Sequence, residues 1–115
     1  MTDKELLEAA ARAAGMPAFA SGATGLRVAS DGRASGYIWN PLTDDGDALR
    51  LAVQLKMDVK QWQSNSIAVA LWDKHATEDA TQDRYAATRR AIVRAAAEIG
   101  SLHNAVMTGP QAPSP

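Results

Sequence analysis

The sequence predicts an α+β domain, and three observations carry that prediction. Apolar residues recur at helical spacing near both ends and in the middle of the 115-residue chain, each stretch opened by a capping signal. Between these stretches lie two pairs of short strand-like runs, each pair joined by a tight link. Short links favour antiparallel pairing, so a mainly antiparallel four-stranded sheet with helices packed on it is expected, in the order α-β-β-α-β-β-α.

Thr2 and Glu5 have the spacing of a capping box, in which each side chain satisfies a free backbone donor. The helix that follows carries Leu6, Leu7, Ala10, Ala13 and Ala14, and Gly15 reads as its C-cap. Residues 16–25 read as a loop because Gly and Pro break both periodicities, with Ser21 to Gly25 a weak nest-forming turn. Leu26–Ala29 and Ala34–Trp39 read as strands joined by Asp31-Gly32, residues that tolerate the positive φ of a tight hairpin. Asn40-Pro41 then stops the strand.

A second helix begins at Thr43 or Asp44, with Leu49, Ala52, Val53 and Lys56 on one face and Leu51 and Leu55 beside it. Met57–Gln63 and Ile67–Trp72 form the second strand pair. In the latter, Ile67, Val69 and Leu71 alternate with Ala68, Ala70 and Trp72, so neither face is polar and the strand is expected to be central or covered on both sides. The last helix is expected from Thr77 or Thr81 to about Leu102. Tyr85, Thr88, Ile92, Ala95, Ile99 and Leu102 make a narrow seam that suits a core face or a dimer face. Residues 1–107 read as a single domain and 108–115 as a disordered tail with too little to bury.

Twelve basic against thirteen acidic side chains give a net charge of -1, which supplies no global field for DNA or RNA. With no cysteine, disulfides, thiolate metal sites and cysteine nucleophiles are excluded. No signal-peptide stretch precedes the first helix, and no window approaches the roughly 18 apolar residues of a membrane span. A soluble, cytoplasmic protein without membrane association is expected.

Nothing in the chain has the spacing of a catalytic constellation. His75 and His103 lack an HExxH arrangement, the serines lack a GxSxG elbow, and no GxGxxG or Walker pattern occurs. No reaction, cofactor or metal is therefore assigned, and binding is the expected mode of action. The acids Asp44, Asp45 and Asp47 do not match an EF-hand, because the twelfth residue from Asp44 is Leu55. Negative charge at a helix N-terminus explains them better, at about 0.3–1 kcal/mol each.

Two sets of candidate binding residues remain. Arg84, Tyr85, Arg89 and Arg90 offer guanidinium groups for phosphate and a ring for base stacking. The plainer reading is a solvated face paired at i, i+4 with Asp83 or Glu98. Of the three tryptophans, Trp72 is the one most expected in the core. Trp62, among Lys60, Gln61 and Gln63, divides evenly between partial core and exposed interface anchor.

The stretch Trp39 to Val53, Trp-Asn-Pro-Leu-Thr-Asp-Asp-Gly-Asp-Ala-Leu-Arg-Leu-Ala-Val, resembles small phage and prophage proteins carrying the phage ABA-sandwich domain. Ala87 to Gly100 resembles them too, and the two blocks cover roughly a quarter of the chain. The resemblance implies a layered helix/sheet/helix sandwich, phage origin and a setting in the host cytoplasm, but no reaction. A small phage accessory protein then acts by binding. The favoured expectation is an anti-defence sponge that sequesters a nucleotide-type immune signal. Trp39, Asn40, Arg84, Tyr85, Arg89 and Arg90 would line its pocket, with Trp39, Asn40, Arg89 and Arg90 meeting at a homo-oligomer interface. The rival is an inhibitor of a host defence protein docking through Trp62, Asp44, Asp45 and Asp47. A structural accessory role is the third expectation, and an enzyme remains the fourth.

Overall fold

The computed structural model describes residues 2–16, 18–22, 25–30 and 33–108, with side chains described for 2–16 and 38–101. Among the described residues three helices alternate with two strand triplets: α1 (Asp3–Ala14), β1 (Ala18–Gly22), β2 (Gly25–Ser30), β3 (Arg33–Trp39), α2 (Asp45–Gln54), β4 (Asp58–Gln61), β5 (Ser66–Leu71), β6 (Lys74–Asp79) and α3 (Arg84–Thr108). The α+β class and the antiparallel pairing match the sequence reading. The single four-stranded sheet and the order α-β-β-α-β-β-α do not: the described strands form two three-stranded sheets, β1-β2-β3 and β4-β5-β6.

Both additional strands are ones whose composition hides them. β1 lies in the stretch read as a loop, yet Ala18 to Gly22 pairs with Val28 to Gly25 through an irregular register. β6 is Lys-His-Ala-Thr-Glu-Asp, in which only Ala76 is buried. Its backbone is fixed by pairing along β5, from Ser66↔Asp79 to Leu71↔Lys74, and its charged side chains suit a sheet edge. β5 is thus the central strand of its sheet, as its two apolar faces suggest. Its links are short: Trp72-Asp73 joins it to β6, with Trp72 at a φ of 58° that no sequence signal announces.

The helix ends follow elementary capping chemistry. Thr2 and Glu5 make the reciprocal capping box, and the Thr2 backbone N–H donating to Glu5 holds that carboxyl below the usual carboxylate range. Gly15 adopts the left-handed conformation at φ 70°, its N–H donating to the Arg12 carbonyl while that of Met16 donates to Ala11. That pair of bonds satisfies carbonyls the helix leaves open. α3 starts later than expected, because Asp83 accepts from Ala86 N–H and so caps the helix at Arg84.

The core is built on α3, which packs against α1, α2, β5 and β6. Ala91, Val93, Ala95 and Ala96 are as deeply buried as Ile92 and Ile99, so the buried surface wraps most of the helix and is no narrow seam. At its N-terminal end Tyr85 leaves the seam and stands 74% exposed. α1 and the second sheet cover the seam's middle, so Ile92, Ala95 and Ile99 belong to a core face, while the Leu102 side chain lies outside the described residues. On α2 the expected core face is rotated. Ala48, Leu51 and Ala52 are buried, whereas Leu49 is 63% and Val53 67% exposed.

The Asp31-Gly32 turn, residues 23 and 24, the His103 side chain and the 109–115 part of the expected tail lie outside the described residues; Thr108 ends α3. Among the described residues no helix is long and apolar enough to cross a membrane.

Candidate functional site

The Trp39–Arg50 stretch folds into a closed knot of hydrogen bonds. Trp39 ends β3 with its side chain 2% exposed, inside the core. Asn40 turns the chain: its carbonyl accepts from the N–H groups of Thr43 and Asp44, and its Oδ1 accepts from Leu42 N–H at 3.1 Å. Asp44 is the N-cap of α2 and accepts from Asp47 N–H at 2.8 Å. Asp47 is buried, with Oδ2 accepting from Asn40 N–H at 3.0 Å and Oδ1 from Arg50 at 2.8 Å. Asp45 accepts from Arg89 at 2.6 Å, and Arg89 Nε donates to the Leu42 carbonyl at 2.8 Å.

The motif is therefore a junction that fixes β3, α2 and α3 relative to one another. Asp47→Ala removes the acceptor of a part-buried backbone N–H and is expected to cost about 2 kcal/mol. Urea denaturation monitored by circular dichroism measures it. An unchanged midpoint would mean that the knot is not holding the junction.

The arginines of α3 do not form one solvated face paired along their own helix. Each reaches a different element. Arg84 donates to Gln61 Oε1 at 2.9 Å and to the Ser64 carbonyl at 2.7 Å. Arg89 holds the α2 start, Arg90 pairs with Asp3 at 3.2 Å, and Arg94 pairs with Glu78. The helix is central, so arginines at successive angles around it point at successive neighbours.

Among the described residues, a groove between α2, β4 and α3 stays open, with a volume of about 510 Å³. α2 contributes Asp45, Ala48, Leu49 and Ala52, β4 contributes Val59 and Gln61, and α3 contributes Arg84, Tyr85, Thr88, Arg89 and Ile92. The size lies within the range of ligand sites, but the surface is almost wholly apolar. Its polar side chains are already bonded to one another: Gln61 donates to Thr88 Oγ at 2.7 Å while accepting from Arg84, and Arg89 holds Asp45. Leu49, Val59 and Tyr85 are left as large exposed apolar surfaces along the same groove, and Val53 lies one turn beyond Leu49.

Of the residues expected to line a nucleotide pocket, the groove brings together Arg84, Tyr85 and Arg89. It does not bring in Trp39, Asn40 or Arg90. The first two are spent in the α2 junction, and Arg90 lines a separate depression of about 470 Å³ with Leu6, Glu78 and Arg94. Of the residues expected at a protein interface, Trp62 is 49% exposed just beyond β4, whereas Asp44 caps α2, Asp47 holds Asn40 N–H and Arg50, and Asp45 pairs with Arg89. Trp72, the tryptophan most expected in the core, is 79% exposed at the β5–β6 turn.

The residues that sequence reasoning missed are Leu49, Val53 and Val59. An α2 whose apolar residues at 48, 49, 51, 52, 53 and 55 run nearly all round is a signal that one stripe serves something besides the core. Comparisons with protein-family models, curated proteins and solved structures gave no match for this chain.

Proposed function

We propose that the domain works by binding a polypeptide in the α2/β4/α3 groove, without catalysis. The observation that supports this most is the groove's surface. Leu49, Val59 and Tyr85 expose apolar side chains along it while the polar groups beside them are bonded within the chain. Soluble domains rarely keep such a patch unless something covers it. A few buried anchors, tyrosine prominent among them, carry most of the affinity at protein interfaces, and Tyr85 stands exposed at this groove. On the resemblance to the phage ABA-sandwich domain, the protein is read as a phage accessory acting in the host cytoplasm, and the layered sandwich belongs to the same reading.

Nucleotide sequestration has one observation in its favour, the convergence of Arg84, Tyr85 and Arg89 at the groove. A phosphate there would have to displace the Asp45 pair and the bonds to Gln61 and Ser64. The polypeptide reading needs no such exchange.

Leu49→Asp separates function from fold. Its side chain is already largely in water, so stability should change by no more than about 0.5 kcal/mol. Peptides selected from a random display library on the wild-type domain should carry large apolar residues. Their affinity for the variant should fall by at least about 2 kcal/mol, the scale of an interface anchor. Unchanged affinity would remove the groove from the binding surface. A nucleotide co-purifying with the protein, seen by native mass spectrometry, would overturn the polypeptide reading in favour of sequestration.

A further inference from the structure

We infer that the polypeptide seated at this groove is a second copy of the same chain, added edge to edge along β4. This rests on the polypeptide-binding reading of the groove and names its partner. β4 pairs with β5 in the register Asp58↔Ala70, Val59↔Val69, Lys60↔Ala68 and Gln61↔Ile67. Trp62 N–H donates to the Ser66 carbonyl, one step further along the same register. Backbone groups in an antiparallel strand alternate between neighbours, so those of Lys60 and Asp58 also face β5. The N–H and C=O groups of Val59 and Gln61 consequently point to the open edge.

All four residues of β4 are exposed, and among the described residues the strand forms one edge of its sheet. An open edge with outward donors and acceptors is a template for another strand. Val59 and Gln61 also line the groove, so a strand added there would run along its mouth, beside the exposed Leu49 of α2.

Charge complementarity selects both the partner and the register. Two copies of β4 meeting antiparallel about a two-fold axis at Val59 place Asp58 opposite Lys60 of the second copy, twice. The outward groups of Val59 then bond to their own counterparts, and Gln61 N–H meets the Met57 carbonyl. Centring the axis on Lys60 instead sets two lysines face to face, which is unfavourable. The self-complementary register produces a two-fold dimer with a continuous six-stranded antiparallel sheet, the closed symmetry commonest among homo-oligomers.

Asp58 and Lys60 are exposed, so their substitution leaves the fold intact and tests the register directly. Sedimentation velocity on the wild-type chain should show a concentration-dependent dimer. Asp58→Lys and Lys60→Asp should each weaken self-association at least tenfold, because each sets like charges opposite one another. Mixing the two variants should restore the dimer as a heterodimer, and so should the double swap D58K/K60D within one chain.

A wild-type chain that stays monomeric to millimolar concentration overturns this inference. Single variants that dimerise like the wild type, or a mixture that fails to recover association, overturn it as well. If the wild type is monomeric while Leu49→Asp still loses the selected peptides, the groove reading stands and only the second copy is rejected. If the selected peptides bind Leu49→Asp normally, the groove reading itself has failed.

Discussion

Gly100→Ala is expected to break the α1–α3 interface, although the same change in an ordinary exposed helix stabilises by about 1 kcal/mol. A Cβ at Gly100 would lie 1.7 Å from the Ala9 carbonyl oxygen and 2.5 Å from its carbon. These are backbone atoms, so no side-chain rotation relieves the overlap; the two helices must move apart by more than an ångström. They are closely packed alanine surfaces, with Ala9, Ala10, Ala96 and Ala97 all buried, and Arg12 Nε reaches the Gly100 carbonyl. Overpacking of cores costs about 1–3 kcal/mol and occasionally more. With rigid backbone as the obstacle, a loss of at least about 3 kcal/mol is expected, lowering the midpoint of thermal unfolding by roughly 10–20 °C. A calorimetric scan measures it. A variant melting at or above the wild-type temperature would show that the helices do not approach as closely as described.

The second large effect is expected at Trp39. Replacing a buried tryptophan by alanine removes its transfer free energy and leaves a cavity, a loss of about 3–5 kcal/mol. It lies at the seam between β3 and the α2 junction, so the damage should reach both. A chemical-denaturation curve for Trp39→Ala should therefore show a much lower midpoint, while Trp39→Phe retains most of the stability. Were Trp39 a stacking platform for a ligand, Trp39→Ala would instead fold normally and lose only binding. The two outcomes separate cleanly.

The contrast between Trp39 and Leu49 shows what could be read from the sequence. Local chemistry was legible where one short stretch decides the outcome. The Thr2–Glu5 capping box, the Gly15 C-cap, the Asp44 N-cap and the β2–β3 pair each depend on residues within a few positions of one another. β1 and β6 were not legible, because their strand character comes from pairing with β2 and β5, and Lys74 to Asp79 has no apolar alternation of its own. Side-chain direction was the other failure. α2 carries apolar residues on more than one stripe, and only its packing against α3 decides that Leu51 faces inward and Leu49 outward.

The candidate site followed the same division. Arg84, Tyr85 and Arg89 were legible as a group because they lie within two turns of one helix. Their joining by Val59 and Leu49 depends on how β4 and α2 come to flank that helix. The conspicuous Trp39–Arg50 motif drew attention as a binding site because an aromatic, a turn and a row of acids resemble one. In the fold the aromatic is buried, and the turn and the acids are bonded internally, to Leu42, Asp47, Arg50 or Arg89. A distinctive sequence marked an architectural junction, and the open surface lay beside it.

Self-association through the β4 edge and its groove is tested most directly by amide hydrogen exchange followed across protein concentration. Lys60, facing β5, should be protected at every concentration. Val59 and Gln61, facing the open edge, should exchange quickly in dilute solution and slow progressively as the concentration rises. Exchange at Val59 and Gln61 that stays equally fast from dilute to concentrated solution would contradict the account.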